Sequence, residues 1–243
     1  MDDDATPRGG RLGAGTVRDR RLHRTDAVGM VANPSDATVL PSVAGGPASV
    51  SGMLLAPGAS GSADHPVFVA LERCLAEHGV AVRRYDFASR RAGNKAVPRA
   101  EPAAAEIAVA TRDLAAELGV DTSELVIGGR SFVGRVASMA VAAGLEVAGL
   151  ALLSYPLHPP GKPANLRTDH FPSIGVPVLF ISGDRDPFGT PAEFEVAVAS
   201  IAGPVSVQFV AGGTHDPANR GRTEAVVEAV LGWLGFPPSG STL

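Results

Sequence analysis

Three residue types that nucleophilic acyl chemistry needs, a serine, a carboxylate and a histidine, each stand just beyond an apolar run. Ser131 follows "ELVIGG", Asp184 and Asp186 follow "VPVLFISG", and His215 follows "VSVQFVAGG". A serine hydroxyl is a weak nucleophile until an adjacent base takes its proton. An imidazole can be that base when a carboxylate orients the ring and stabilises its charged form. Two amides complete the set of parts. "APGASG" offers a backbone N–H near Ala59 and the amide of Phe132 follows the serine, a pair that could cradle a developing oxyanion. One departure stands against this. The turn "GGRSFVG" carries Val133 where a nucleophile turn of the G-x-S-x-G type asks for glycine.

Each residue also has an ordinary explanation. A serine after glycines is a good helix N-cap, an aspartate before proline is a common turn, and a histidine beside glycine suits a solvated loop. In combination they favour Ser131 and His215 with a carboxylate between, Asp186 preferred and Asp184 its rival. The other histidines do not follow the last apolar run. His23 lies near the start, His78 at a helix end, and His65, His158 and His170 in loops. Cys74 falls inside a helical pattern, where it reads as a small buried apolar residue.

The elements that must position these residues recur in a regular rhythm from Ser49 onward. "SVSGMLLAPG" predicts a strand running into a turn, "PVFVALERCLAEHG" an amphipathic helix, and "VAVRRYDF" a strand. "EPAAAEIAVATRDLAAELG" predicts a helix with Pro102 in its first turn and Gly119 past its end. There follow the strand "ELVIGG", the helix "SFVGRVASMAVAAG", the strand "VAGLALLSY", a proline-rich loop and the strand "VPVLFISG". The helix "PAEFEVAVASI", the strand "VSVQFVAGG" and the helix "TEAVVEAVLGWLG" close the series. The strands are short continuous apolar runs, as expected where helices cover both faces of a parallel sheet. The pattern is a doubly wound, mostly parallel α/β sheet. Such sheets place their sites at the carboxyl ends of the strands, where all three residues lie. The order serine, aspartate, histidine is that of the triad in α/β hydrolases.

The loop after "VAGLALLSY" holds the remaining candidates. Arg130, His158 and Lys162, with Arg167, form a cationic rim for an acidic or phosphate-bearing substrate on one reading. On the other, which we favour, prolines 156, 159, 160 and 163 stiffen a surface loop and the basic groups pair locally, for example with Asp169. Phe132, Tyr155 and Phe188 are candidates for a small apolar pocket or for core.

Composition narrows the function classes. A formal charge of −4 gives no electrostatic case for nucleic acid. A single cysteine permits no intrachain disulfide and suits a reducing compartment. The acidic opening "MDDDATPRGG" lacks the basic and apolar segments of a secretory signal, and no run nears the ~18 apolar residues of a membrane span. The expectation is a cytoplasmic protein. No metal-ligand spacing and no dinucleotide or P-loop fingerprint occurs, so neither metal nor cofactor is expected. Residues 1–47 mix arginine and aspartate with short apolar runs and read as a flexible tail, with Met30 as an alternative start. Residues 48–237 form the domain, and 238–243 a flexible end.

The strings "LLAPGASGSADHP", "RYDF", "GGRSFVGR", "LLSYPLHPPGKPANLR", "VPVLFISGDRDPFG" and "GGTHD" together resemble one α/β-hydrolase-like family. It is that of testis-expressed protein 30 and the third subunit of the NSL histone-acetylation complex, with bacterial members described as dienelactone-hydrolase-like. The resemblance spans about Val50 to Gly235. It implies an α/β-hydrolase fold with minimal or no lid, with Ser131 at the nucleophile position, Asp186 rather than Asp184 as the acid, and His215 as the base. Two positions depart from the family pattern: Val133 replaces the first glycine after the serine, and Pro57 stands where many relatives have histidine. The expected activity is that of a serine esterase or thioesterase acting on a small acyl ester through an acyl-enzyme. The alternative is a weakly active or inactive binding protein on the same fold. It is motivated by Val133 and by the assembly role of the eukaryotic complex subunit, and it leaves room for a protein partner.

Overall fold

The strands are assembled as the apolar runs dictate, into one seven-stranded sheet of order β1-β7-β6-β5-β4-β2-β3. The structure is a computed structural model, and it describes residues 38–39, 45–58, 61–93 and 98–237. Strands β2 (Gly52–Ala56), β3 (Ala81–Arg84), β4 (Leu125–Arg130), β5 (Gly149–Leu153), β6 (Val178–Gly183) and β7 (Val205–Val210) run parallel. Strand β1 (Thr38–Val39) adds an antiparallel edge on β7. It lies ahead of residue 48, where the domain was expected to begin. The rest of the expected N-terminal tail before it, and the end at 238–243, fall outside the described residues.

Alternate residues of each strand serve opposite faces. Leu54 and Ala56 of β2 join one core cluster, while Met53 and Leu55 join the other. The first cluster is closed by α3 (Ala100–Leu118), α4 (Phe132–Ala142) and α5 (Pro191–Val198), through residues such as Ile107, Val136 and Phe194. The second is closed by α1 (Pro66–Ala76) and α6 (Thr223–Trp233), through Phe68, Leu71, Val226 and Val230. A strand buried on both faces has no polar side to show, which is why its sequence reads as an unbroken apolar run. Each fully buried Leu or Phe contributes roughly 1.5–3 kcal/mol of burial. Between α1 and α3 a short helix, α2 (Ala88–Arg91), follows β3.

The strand order reverses direction at β2. The chain steps outward from β2 to β3, then returns to lay β4 on the other side of β2. The carboxyl ends of β2 and β4 therefore flank a topological switch point, where such sheets open a crevice. The connection from β5 to β6 carries only one 3-10 turn, Phe171–Ser173, so no α-helix is inserted there as a lid.

Candidate functional site

Ser131 stands in the turn between β4 and α4, with its amide donating to the Leu153 carbonyl of β5 at 2.8 Å. Its backbone is at φ 54° and ψ −121°. A non-glycine residue there costs of order 1–3 kcal/mol and persists only where its surroundings enforce it. The enforcement is visible on both sides of the turn. A side chain on Gly129 would run into the Ala56 carbonyl of β2, and a Cβ on Gly134 would lie 2.9 Å from the Gly129 carbonyl. The glycines that this turn needs are thus Gly129 and Gly134.

Val133 is not at that contact. Its side chain is fully buried in the core with Val136 and Ala137 of the same helix. The sequence leaves open what Val133 does to the turn: the close approach falls one residue later, at Gly134, and Val133 packs inward.

Asp186 and His215 reach the serine from the ends of β6 and β7. Those ends touch through Gly183 and Gly213. A Cβ on Gly213 would stand 2.9 Å from the Gly183 Cα, and the Arg185 amide donates to the Gly213 carbonyl at 2.9 Å. With the two loops so joined, Asp186 Oδ2 and Oδ1 lie 2.9 and 3.1 Å from His215 Nδ1, and His215 Nε2 lies 2.8 Å from Ser131 Oγ. A carboxylate only accepts, so Nδ1 carries the proton and donates, which leaves the Nε2 lone pair to accept from the serine hydroxyl. The Phe188 amide donates to Asp186 Oδ1 at 2.9 Å, so the buried carboxylate has a second donor. Burial is graded along the line: the Asp186 side chain is 1% exposed and that of His215 24%. The acid is held dry, while the base is open to an incoming molecule. The Phe188 ring covers the imidazole, with centroids 4.1 Å apart.

The other candidates are dispersed. As the first residue of α4, Phe132 has an amide with no acceptor inside the helix, free to serve an anion at the turn. Ala59, the expected second oxyanion donor, lies outside the described residues, but its neighbour Gly58 comes close, a Cβ there standing 3.4 Å from Ser131 Cβ. Arg130 turns back into the protein. Its Nη2 donates to the His215 carbonyl at 3.3 Å and lies 3.8 Å from Asp216 Oδ2. His158 is 4% exposed and engaged by the Pro159 carbonyl at 2.8 Å and Glu193 Oε2 at 3.3 Å. Lys162 lies on the exposed loop surface. His158 and Lys162 are not brought to Ser131 by any of these contacts. Tyr155 is core, its hydroxyl donating to the Arg167 carbonyl at 2.6 Å. Asp184 uses its amide on the Val210 carbonyl at 3.3 Å, and the imidazole belongs to Asp186.

Sequence reasoning passed over His65, at the N-cap of α1. Its Nε2 lies 3.3 Å from Asp216 Oδ2, so His65, Asp216 and Arg130 form a polar strut behind the His215 loop. Only the adjacency of Asp216 to His215 hinted at it. Among the described residues, no group of three or more His, Cys, Asp or Glu could hold a metal ion, and no helix is long and apolar enough to cross a membrane.

Solved structures share this architecture. A dienelactone hydrolase from Anabaena variabilis is 19% identical with a TM-score of 0.62, covering 77% of this chain and 87% of that one. Est1E from Butyrivibrio proteoclasticus, with bound ferulic acid, is 19% identical with a TM-score of 0.59, covering 77% and 90%. The type II thioesterase BorB from the borrelidin biosynthetic cluster is 18% identical with a TM-score of 0.56, covering 80% and 95%. At such identities the likeness establishes the fold alone. The sequence goes further, since residues 49–232 match the family described as alpha/beta hydrolase domain. The chain belongs to that α/β-hydrolase family.

Proposed function

We propose that the protein is a serine hydrolase that cleaves a small acyl ester or thioester through an acyl-enzyme. The observation that carries this reading is the line of hydrogen bonds from Asp186 through His215 to Ser131, with Nε2 2.8 Å from Oγ. In the reaction His215 takes the serine proton as Oγ attacks the substrate carbonyl. Asp186 stabilises the imidazolium that forms. The new oxyanion is taken up by the Phe132 amide, and a single well-placed donor is worth about 3–4 kcal/mol. His215 then protonates the leaving alcohol or thiol, and water, activated by the same imidazole, releases the acid.

Val133, the residue that argued for an inactive binding protein, lies in the core and leaves the turn intact, which supports the catalytic reading. The narrower kinship with the testis-expressed protein 30 family rests on the strings "YPLHPPGKP" and "RDPFG". A fluorophosphonate probe is expected to label the wild-type protein at Ser131 and to leave Ser131→Ala unlabelled. A folded wild-type protein that resists labelling would overturn the assignment.

A further inference from the structure

A second charged feature adjoins the His215 loop and takes no part in the chemistry above. Arg185, Arg220 and Arg222 line a cavity of about 140 Å3, together with Gly212, Thr214, Asp216 and Asn219. Arg185 comes from the loop that also carries Asp186, and the others from the loop that carries His215. Among the described residues none of the three guanidiniums is paired with a carboxylate. Arg222 Nη1 donates to the Asn219 carbonyl at 3.2 Å. Arg220 is held at φ 56° with its amide on Asn219 Oδ1 at 2.7 Å. At the one acid in the lining, Asp216, Oδ2 lies 3.3 Å from His65 Nε2 and 3.8 Å from Arg130 Nη2, while Oδ1 is buried with no hydrogen-bond partner among the described residues.

Arg185 and Arg220 are exposed and Arg222 is half-buried, so solvent screens their mutual repulsion and leaves the guanidiniums accessible to an anion. A planar guanidinium offers paired donors that match the oxygens of a carboxylate or phosphate. The cavity holds roughly four or five waters at ~30 Å3 each, the size of a small charged group rather than of an acyl chain. Thr214 and Asp216 of its lining are the chain neighbours of His215, whose Nε2 lies 2.8 Å from Ser131 Oγ.

We propose that this cavity is an oxyanion subsite, and that the substrate is an ester or thioester that carries a carboxylate or phosphate group. The identification as a substrate subsite rests on the hydrolase reading; the capacity to bind an anion does not. The cationic rim weighed for Arg130, His158 and Lys162, against the favoured reading of local pairing, thus finds a counterpart in a different set of arginines.

Binding is tested by calorimetric titration of malonate and of inorganic phosphate into wild-type protein, Ser131→Ala and Arg220→Gln. The triple variant Arg185→Gln/Arg220→Gln/Arg222→Gln, checked for a native melting curve, completes the set. Saturable one-to-one binding that survives Ser131→Ala and weakens at least tenfold in Arg220→Gln is the expected result. Malonate binding alone identifies a carboxylate site, and phosphate binding alone a phosphate site. No saturable binding, or binding that persists in both arginine variants, overturns the proposal. In kinetics, the ratio of kcat/KM for mono-4-nitrophenyl adipate to that for 4-nitrophenyl hexanoate is expected to fall at least tenfold in Arg220→Gln. Hydrolysis without anion binding would sink the subsite and leave the hydrolase standing. Anion binding without any hydrolysis or labelling would overturn the hydrolase reading and the substrate role of the site, and leave the anion site itself standing.

Discussion

A Cβ on Gly134 would stand 2.9 Å from the carbonyl oxygen of Gly129, so β4 and the first turn of α4 meet backbone to backbone. That contact holds Ser131 in its uncommon conformation and aims its hydroxyl at His215. It also separates two residues that the sequence alone makes hard to tell apart, Val133 and Gly134.

Gly134→Ala is expected to push α4 off β4, at a cost of about 1–3 kcal/mol in stability and with slower probe labelling of Ser131. Val133→Gly is expected to destabilise by about 2–4 kcal/mol, from the lost buried side chain and the added backbone freedom. Urea melts and labelling rates check both. A Val133→Gly protein more reactive than wild type would contradict the placement of that side chain.

Asp186→Asn removes the charge that orients the imidazole and leaves its shape. The rate of Ser131 acylation is expected to drop by about 10³–10⁴-fold. Asp184→Asn, two residues earlier, is expected to have a far smaller effect. Single-turnover kinetics with a 4-nitrophenyl ester separate the two, and equal losses would reopen the choice of acid.

Arg130 Nη2 donates to the His215 carbonyl at 3.3 Å and lies 3.8 Å from Asp216 Oδ2, which predicts that it positions the His215 loop. Arg130→Met is expected to lower kcat for a neutral ester by about 10- to 100-fold through misplacement of the imidazole, with little change in KM. A rise in KM confined to anionic esters would instead return Arg130 to the substrate-binding role first considered for it.

His170 gives the fold a pH dependence. Its Nε2 lies 2.7 Å from Ser138 Oγ, and burial first, then the nearby Arg135 charge, pushes its pKa down to about 4. The unfolded chain therefore binds a proton near pH 6.5 that the folded one refuses until about pH 4. Stability is present in full above the unfolded value and is lost as pH falls through that window. His170→Gln is expected to flatten this part of the acid limb in thermal melts at pH 7, 6, 5 and 4. An identical pH profile in wild type and variant would refute it.

Much of this was legible in the chain because parallel strands buried on both faces must be continuous apolar runs. The six parallel strands and the helices between them follow from that constraint, as does the placing of Ser131, Asp186 and His215 at strand ends. The edge strand Thr38–Val39 was not legible, since two residues carry no period and its pairing with β7 is set by a distant neighbour. Arg130 shows the same limit within the site. Its type suggested a substrate anion, but its partners are the His215 carbonyl and Asp216, which lie 85 and 86 positions further along the chain.

Which residue types stand at the carboxyl ends of which strands can be read from the chain, because the pattern of burial is written locally. What those residues face is set by packing between elements distant in the chain. The backbone contacts of Gly129 with Gly134 and of Gly183 with Gly213 set the distances between loops, and those depend on how closely separate elements can approach. From the same contacts come the 2.8 Å between Ser131 and His215, the inward turn of Val133, and the meeting of three arginines from two loops around one cavity.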